Sequence, residues 1–216
     1  MRKVFKPEII KRSIDNNWLH VFLVKSPILG IVSKMIIDNY ELKKENILII
    51  NSRKNSLEIF DNYKLEIEQK KFDRYREKLF FDSPVGRKIL KKIKTLNKDF
   101  IIYAGGAWRE VNWMLKDDLC KGHIYIEEGQ GTYRNFQLRP FEKIKLIDKI
   151  KSNFKNRAII GDKDGFMWRD DVHVCIGLDL NSFPKVPANK KIKLEKFRGI
   201  KNHYKQKTLG FKTIGL

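Results

Sequence analysis

VFLVKSPILGIVSKMIIDNYELKKENILIIN, residues 21–51, is the stretch of this chain that decides its fold. Its first four residues form a compact apolar run and predict a buried strand. The Ser26-Pro27 pair then predicts the start of a helix, because serine caps a helix N-terminus and proline is tolerated at the first helical position. The helix is predicted to reach about Tyr40, and the apolar segment Asn46–Asn51 predicts a second strand. Strand, helix and strand in this order make a βαβ unit, whose crossover is expected to be right-handed.

The same alternation continues along the chain. A second Ser-Pro pair opens a predicted helix over Ser83–Asn97, and the apolar run Phe100–Ala104 predicts a third strand that ends at Gly105-Gly106. Further predicted elements are the helix Ala107–Leu119, the strand Ile124–Ile126, the basic amphipathic helix Pro140–Phe154 and the short strands Ala158–Gly161 and Val172–Ile176. The expected fold class is therefore α/β, a Rossmann-like domain with a mostly parallel sheet and helices on both faces.

Changes in composition suggest three segments. Residues 1–17 form a basic N-terminal segment, and residues 18–184 carry the alternating strands and helices. Residues 185–216 are rich in lysine and contain a single acid, Glu195. We expect this last segment to be a linker or the start of an incomplete second domain.

The overall composition is that of a globular protein. Of 216 residues, 42% are hydrophobic and 33% are charged, which is unlike a disordered chain. No apolar run reaches the ~18–20 residues that span a bilayer, and a polar stretch follows the basic N-terminus where a signal peptide would be apolar. A cytoplasmic location is expected. Cys120 and Cys175 match neither a zinc site nor a disulfide framework, so free thiols are expected.

The net charge of +20, with a pI near 9.9, limits the choice of partners. A general lysine bias is the first explanation, because lysine far outnumbers arginine along the whole chain. Peripheral contact with an anionic membrane or an acidic acceptor comes second. Nucleic acid comes third and is not expected as a specific partner, since arginine is the residue favoured for bidentate recognition of phosphates and bases.

The stretch HIYIEEGQGTY, residues 123–133, holds the strongest functional signal. A short apolar run ends in Glu127 and Glu128, and Gly129 and Gly131 then open a tight turn. Ligands of open α/β sheets bind just past the carboxyl ends of the strands, which is where a general base is needed. Successive strand residues point to opposite faces, so one glutamate of the pair is expected in the cleft. The alternative is a solvated turn with two ordinary surface acids.

Other motifs mainly exclude function classes. No GxGxxG follows the first strand, and neither a P-loop nor GxSxG occurs, which argues against dinucleotide, nucleotide-hydrolase and α/β-hydrolase sites. The four histidines lack metal-ligand spacing; among them, His203 in the basic tail is a weak candidate for a phosphate contact. Gly105-Gly106 is a second place where a ligand or a loop can approach the backbone closely.

Three features follow one another in a recognisable order: strand–Ser-Pro–helix, a Gly-Gly turn, and strand–Glu-Glu-Gly with Tyr133 a few residues later. This order resembles bacterial sialyltransferases of the lipooligosaccharide and polysialic acid type, the glycosyltransferase family 52-like group. Glu127-Glu128-Gly129 looks like the acidic pair and glycine of their D/E-D/E-G motif. Ile176–Pro184 looks like the stretch before their second domain, so the resemblance covers about residues 18–184.

The resemblance implies the N-terminal, acceptor-side half of a GT-B glycosyltransferase that moves a sugar from CMP-sialic acid, or a related CMP-sugar, to a surface glycan with inversion. The acceptor would be lipooligosaccharide or capsule at the inner face of the plasma membrane. Glu127 would be the general base and Glu128 would support it. Substrate-binding residues would be Ser26, Pro27, Gly105, Gly106, Gly129 and Tyr133. No metal and no other cofactor would be required.

One departure from the group concerns the donor site. Its second domain carries a His-Pro motif that holds CMP, and this sequence contains no His-Pro. The chain is therefore expected to be truncated before the CMP-binding domain and inactive alone, or to need a partner for the nucleotide half. The alternatives are another sugar donor on the same scaffold and a non-catalytic basic module that binds nucleic acid or an anionic polymer.

Overall fold

The computed structural model describes residues 7–51, 64–66, 84–106, 111, 114–115, 117–133, 172–179 and 181–194. In chain order the helices and strands are α1 (Glu8–Asp15), β1 (Leu19–Val24), α2 (Pro27–Tyr40), β2 (Ile47–Asn51), β3 (Lys64–Glu66), α3 (Pro84–Thr95), β4 (Phe100–Ala104), β5 (Cys120–Ile126), the single turn α4 (Gln130–Tyr133), β6 (Val174–Gly177) and β7 (Lys191–Lys193). Short 3₁₀ turns over Lys44–Asn46 and Ala188–Lys190 precede β2 and β7.

The strands form one seven-stranded sheet in the order β3-β2-β1-β4-β5-β6-β7. Every neighbouring pair is parallel. A sheet of this kind needs helices on both faces, because both of its faces are apolar. The α/β, Rossmann-like fold class expected from the sequence is confirmed.

Alternating strand residues pack into cores on opposite faces of the sheet, of which the two largest lie beneath α1 and α2 on one face and α3 on the other. On the first face α1 and α2 cover Phe22, Val24 and Tyr103, and Ile10 of α1 is fully buried among them. On the second face α3 packs through Ile89 and Ile93. The strand residues of that second core are Leu19, Val21, Leu23, Leu48, Ile50, Phe100, Ile102 and Ala104. The period-two alternation along each strand therefore fixes which helix it meets.

Two adjacent central strands carry a buried polar pair. Nδ1 of His20 in β1 lies 2.9 Å from the hydroxyl oxygen of Tyr103 in β4. The Tyr103 ring also stacks on Phe22, with centroids 4.2 Å apart. Burial lowers the pKa of His20 to about 4 and, as the largest cause, raises the pKa of Tyr103 well above its usual value. His20 is therefore a neutral core residue at pH 7.

Residues of the two expected flanking segments also pack with the sheet. Ile10, inside the expected N-terminal segment 1–17, is part of the first core. β7, inside the expected linker 185–216, is the seventh strand of the sheet and pairs with β6 from Cys175 to Gly177. Sequence reasoning missed β7 because three residues of the pattern K-I-K carry too little apolar signal.

The fourth predicted strand is longer than expected, since β5 begins at Cys120 rather than at Ile124. Gly122, which would otherwise look like a helix terminator, lies inside β5 with φ +125°. A Cβ atom there would lie 2.2 Å from Nε2 of His173, so glycine is needed for a close approach. The predicted helix Pro140–Phe154 and strand Ala158–Gly161 lie outside the described residues, as does most of Ala107–Leu119.

Candidate active site at the carboxyl edge of the sheet

The strand order changes direction between β1 and β4, because β2 follows β1 on one side whereas β5 follows β4 on the other. Ligands of open α/β sheets bind outside the carboxyl ends of the strands at such a switch point. Ser26 and Pro27 follow β1 there, and Gly105 and Gly106 follow β4. Four of the predicted substrate-binding residues therefore flank the switch point.

Ser26 has a clear local role at this edge. Its side-chain oxygen accepts a hydrogen bond from the backbone N–H of Leu29 at 3.4 Å, and Pro27 occupies the first helical position. The Ser-Pro pair therefore starts α2, as the sequence predicts. Gly106 is buried and Pro27 is exposed. Their expected contacts with a substrate remain predictions.

Gly105 makes room for Glu128. A Cβ atom on Gly105 would lie 2.9 Å from Cβ of Glu128 and 2.9 Å from Cδ2 of Leu29, and 3.2 Å from Oε2 of Glu128. Gly129 has φ +116°, and a Cβ atom on it would meet Ile28 at 3.7 Å. The second glutamate and the glycine after it therefore lie against the end of β4 and the first turn of α2. Glu128 itself is half-buried.

Glu127 faces the other way and is only 3% exposed. Its Oε1 accepts a hydrogen bond from the Tyr133 hydroxyl at 2.8 Å. Its Oε2 accepts two more, from the backbone N–H of Leu178 at 2.7 Å and from the Ser182 hydroxyl at 2.8 Å. An ionised carboxylate has about four acceptor positions, so three are occupied by this chain. Glu127 thereby joins the end of β5 to α4 and to the loop after β6.

Backbone contacts reinforce the same junction. The Glu128 N–H donates to Oγ1 of Thr132 at 3.1 Å, and the Phe183 N–H donates to the Thr132 carbonyl at 3.0 Å. Ser182 packs so closely on β6 that a Cβ atom on Gly177 would lie 2.5 Å from its Cβ. Phe183 is buried with φ +58°, a conformation that non-glycine residues adopt only where their surroundings enforce it.

Tyr133 places an aromatic ring at the surface of this junction, with 42% of the residue exposed. Desolvation is the largest cause of its raised pKa; the hydrogen bond to Glu127 and the charge of that carboxylate add to the rise, whereas a contact with Ser182 opposes it. The Tyr133 phenol is therefore a hydrogen-bond donor at neutral pH, and Glu127 sets the direction of its O–H bond.

The predicted site residues are thus divided between two neighbouring positions. Ser26, Pro27, Gly105, Gly106, Glu128 and Gly129 lie at the switch point, whereas Glu127 and Tyr133 belong to the β5–β6 junction. His203 lies outside the described residues. Within the part of the chain that the structure describes, no group of three or more histidine, cysteine, aspartate or glutamate side chains is arranged to hold a metal ion.

Sequence reasoning missed the partners of Glu127. The Leu178 amide and the Ser182 hydroxyl lie 51 and 55 residues along the chain from Glu127. A backbone amide has no sequence signature, and a single serine has too little. The sequence offered one signal: Ser182 lies in the segment Ile176–Pro184, which the resemblance singles out.

Comparison with known proteins adds no identification: no family model, curated protein or solved structure matches this chain. None of the helices within the described ranges is long and apolar enough to cross a membrane.

Proposed function

We propose that this chain is a sialyltransferase-like glycosyltransferase that uses a CMP-activated sugar and transfers it to a surface glycan with inversion. The observation that carries the proposal is the convergence of Glu128, Gly105 and the start of α2 at the carboxyl edge beside the switch point, with Glu127 at the neighbouring β5–β6 junction. The order of these motifs along the chain matches their order in the sialyltransferase group. The acceptor class, lipooligosaccharide or capsule, follows from the same resemblance.

The reaction needs one proton acceptor and help for the leaving group. The acceptor hydroxyl oxygen attacks the anomeric carbon of the donor sugar, the bond from that carbon to the phosphate oxygen breaks, and its electron pair leaves with CMP. The hydroxyl proton passes to a carboxylate of the glutamate pair, and the resemblance assigns this role to Glu127. Positive charge near the departing phosphate lowers the barrier further. The products are the glycoside and CMP, and the chemistry as written needs no metal.

The proposed location is the cytoplasm, with peripheral contact to the inner face of the plasma membrane. The outer surface of α3 supports this part of the proposal. Its twelve residues include five cations and no acid. All five are exposed: Arg87, Lys88, Lys91, Lys92 and Lys94. Lys94 pairs with Asp117 at 2.8 Å. Basic residues near an anionic bilayer each contribute about 1 kcal/mol of attraction.

The decisive experiment measures CMP release from CMP-sialic acid in the presence of purified lipooligosaccharide, together with thermal-shift titrations of CMP, CMP-sialic acid and UDP. CMP release, together with stabilisation by the CMP ligands and not by UDP, would support the proposal and show that the chain holds a nucleotide site of its own. The double variant Glu127→Gln/Glu128→Gln should lose release, whereas Asp118→Asn, a surface carboxylate at the opposite end of β5, should keep it. Absence of both release and CMP-dependent stabilisation would reject the proposal.

The same cationic surface of α3 favours one second candidate, a non-catalytic module that binds anionic polymers. A short oligonucleotide in the thermal-shift series tests it. Stabilisation by the oligonucleotide with selectivity between sequences, and without any response to CMP ligands, would favour this second function. Weak retention that disappears with moderate salt would be general charge attraction only.

A further inference from the structure

We propose that Glu127 is a positioning residue, which fixes the Tyr133 phenol, Leu178 and Ser182 at the edge of the sheet, and that Glu128 is the carboxylate that meets the acceptor hydroxyl. The first half of the proposal concerns the folded chain alone. The second half rests on the glycosyltransferase function proposed above.

The position of Glu127 explains the first half. A general base must reach the substrate proton directly or through one water, at about 2.6–3.2 Å. Glu127 as a residue is only 3% exposed, and its carboxylate oxygens already accept hydrogen bonds from Tyr133, Leu178 and Ser182. Three of its about four acceptor positions are therefore occupied within a buried site, which leaves little access for a substrate hydroxyl, and displacing one of the donors would cost free energy. The geometry instead suits a fixed anchor that ties α4 and the loop after β6 to the end of β5.

The residues that surround Glu127 allow Ser182 to lie directly against it. Gly177 has no side chain where the Ser182 side chain packs, and a Cβ atom on Gly177 would also lie 3.2 Å from Oε2 of Glu127. Phe183 holds φ +58° while its N–H donates to the Thr132 carbonyl. The absence of a side chain on Gly177 leaves room for Ser182 beside Glu127. The constrained backbone of Phe183 keeps Ser182 in that place. Neither would be needed if Glu127 were an ordinary surface acid.

Glu128 occupies the position that a base requires. It is half-buried, and it lies on Gly105 at the carboxyl end of β4, beside the first turn of α2. That is the switch point, where a ligand of this fold binds. The two neighbouring glutamates therefore have different surroundings, and the direction of each follows from strand alternation at the end of β5. Glu127 orients Tyr133, and Glu128 faces the ligand.

The first half is tested without any substrate. Urea unfolding of Glu127→Gln, Tyr133→Phe and the double variant forms a double-mutant cycle, in which we expect a coupling of about threefold or more in the folding equilibrium. Glu127→Gln combined with the distant Asp118→Asn should give additive changes. In [ζ-¹³C]tyrosine-labelled protein, Glu127→Gln should also shift the Tyr133 resonance, assigned through Tyr133→Phe. Additivity of the first pair with an unmoved resonance would overturn the positioning role.

The second half is tested by the pH dependence of CMP release with lipooligosaccharide as the acceptor. Loss of the base should lower kcat by about 10²–10⁴-fold. We expect that loss in Glu128→Gln, together with loss of the acid limb of the kcat profile. Glu127→Gln and Tyr133→Phe should keep the acid limb, and their double variant should be no slower than the worse single one.

The outcomes separate the two proposals. An acid limb that disappears in Glu127→Gln and persists in Glu128→Gln would assign the base to Glu127 and overturn the second half. If the wild-type protein releases no CMP, the proposed glycosyltransferase function fails, and the second half fails with it. The unfolding cycle and the tyrosine resonance still decide the positioning role in that case.

Discussion

The two neighbouring parts of the carboxyl edge are built by opposite means. At the β1–β4 switch point, close approach depends on a missing side chain, since Gly105 leaves space for Leu29 and Glu128. At the β5–β6 junction, polar side chains supply the contacts, with Glu127 bound by three donors. Substitutions that add atoms are therefore expected to destabilise the switch point, whereas substitutions that remove atoms are expected to destabilise the junction. One region is shaped by steric limits and the other by hydrogen bonding.

The largest effect is expected at the β5–β6 junction, from Glu127→Ala. Removing the carboxylate leaves the Leu178 N–H and the Ser182 hydroxyl without their acceptor in a buried site, at a cost of about 3–4 kcal/mol in the free energy of unfolding. Urea unfolding measures the loss. Ser182→Ala removes one donor and should cost only about 1 kcal/mol. Equal losses in the two variants would show that Glu127 does not act as the shared acceptor.

The free energy of unfolding should decrease at acid pH because of His20 in β1, a strand that ends at the switch point. Because burial lowers the pKa of His20 to about 4 in the folded state, the unfolded chain takes up the proton first. Stability is thus fully present above about pH 6.5 and decreases as the pH falls towards 4, by about 3 kcal/mol in all. His20→Gln should remove this part of the acid-induced loss, whereas the surface variant His173→Gln should keep it. Parallel pH curves for wild type and His20→Gln would contradict the assignment.

A smaller effect is expected at the switch point itself, from Gly105→Ala. The added methyl would lie 2.9 Å from Cβ of Glu128 and from Cδ2 of Leu29, so both must move, at a cost of about 2 kcal/mol. Thermal or urea unfolding gives the value. Leu29→Val removes one of the clashing atoms, and the double variant should therefore lose less than the sum of the two single changes. Additive losses would mean that the glycine is not needed for this approach.

The smallest effect concerns the start of α2. Ser26→Ala removes the acceptor of the Leu29 N–H and should cost about 0.5–1 kcal/mol. Ser26→Asp keeps a capping oxygen and serves as the matched control, with little change in the urea midpoint. If Ser26→Ala and Ser26→Asp unfold alike, the cap contributes nothing measurable and the proline alone starts the helix.

The β1–β4 switch point could be predicted from residues that are neighbours in sequence. The β5–β6 junction could not, because its contacts join residues far apart along the chain. The cap at Ser26 and the turn at Gly105 are read directly from neighbouring residues. The sequence also indicated that one glutamate of the pair would enter the cleft, but alternation alone does not say which. That choice depends on Ser182 and the Leu178 amide, which reach Glu127 only after β6 joins the sheet. The role of base for Glu127 stays a prediction, and its surroundings favour Glu128.

The position of β1 in the middle of the sheet has a consequence for how the chain folds. β1 and β2 can pair as soon as both are synthesised, whereas His20 of β1 and Tyr103 of β4 lie 83 residues apart. Closing so long a segment is slow, because the entropy of the intervening chain is lost before the new contacts form. Until β4 arrives, the backbone N–H and C=O groups along the second edge of β1 remain open to pairing with other chains. Aggregation during refolding is therefore expected to begin at this edge, before the two halves of the sheet join.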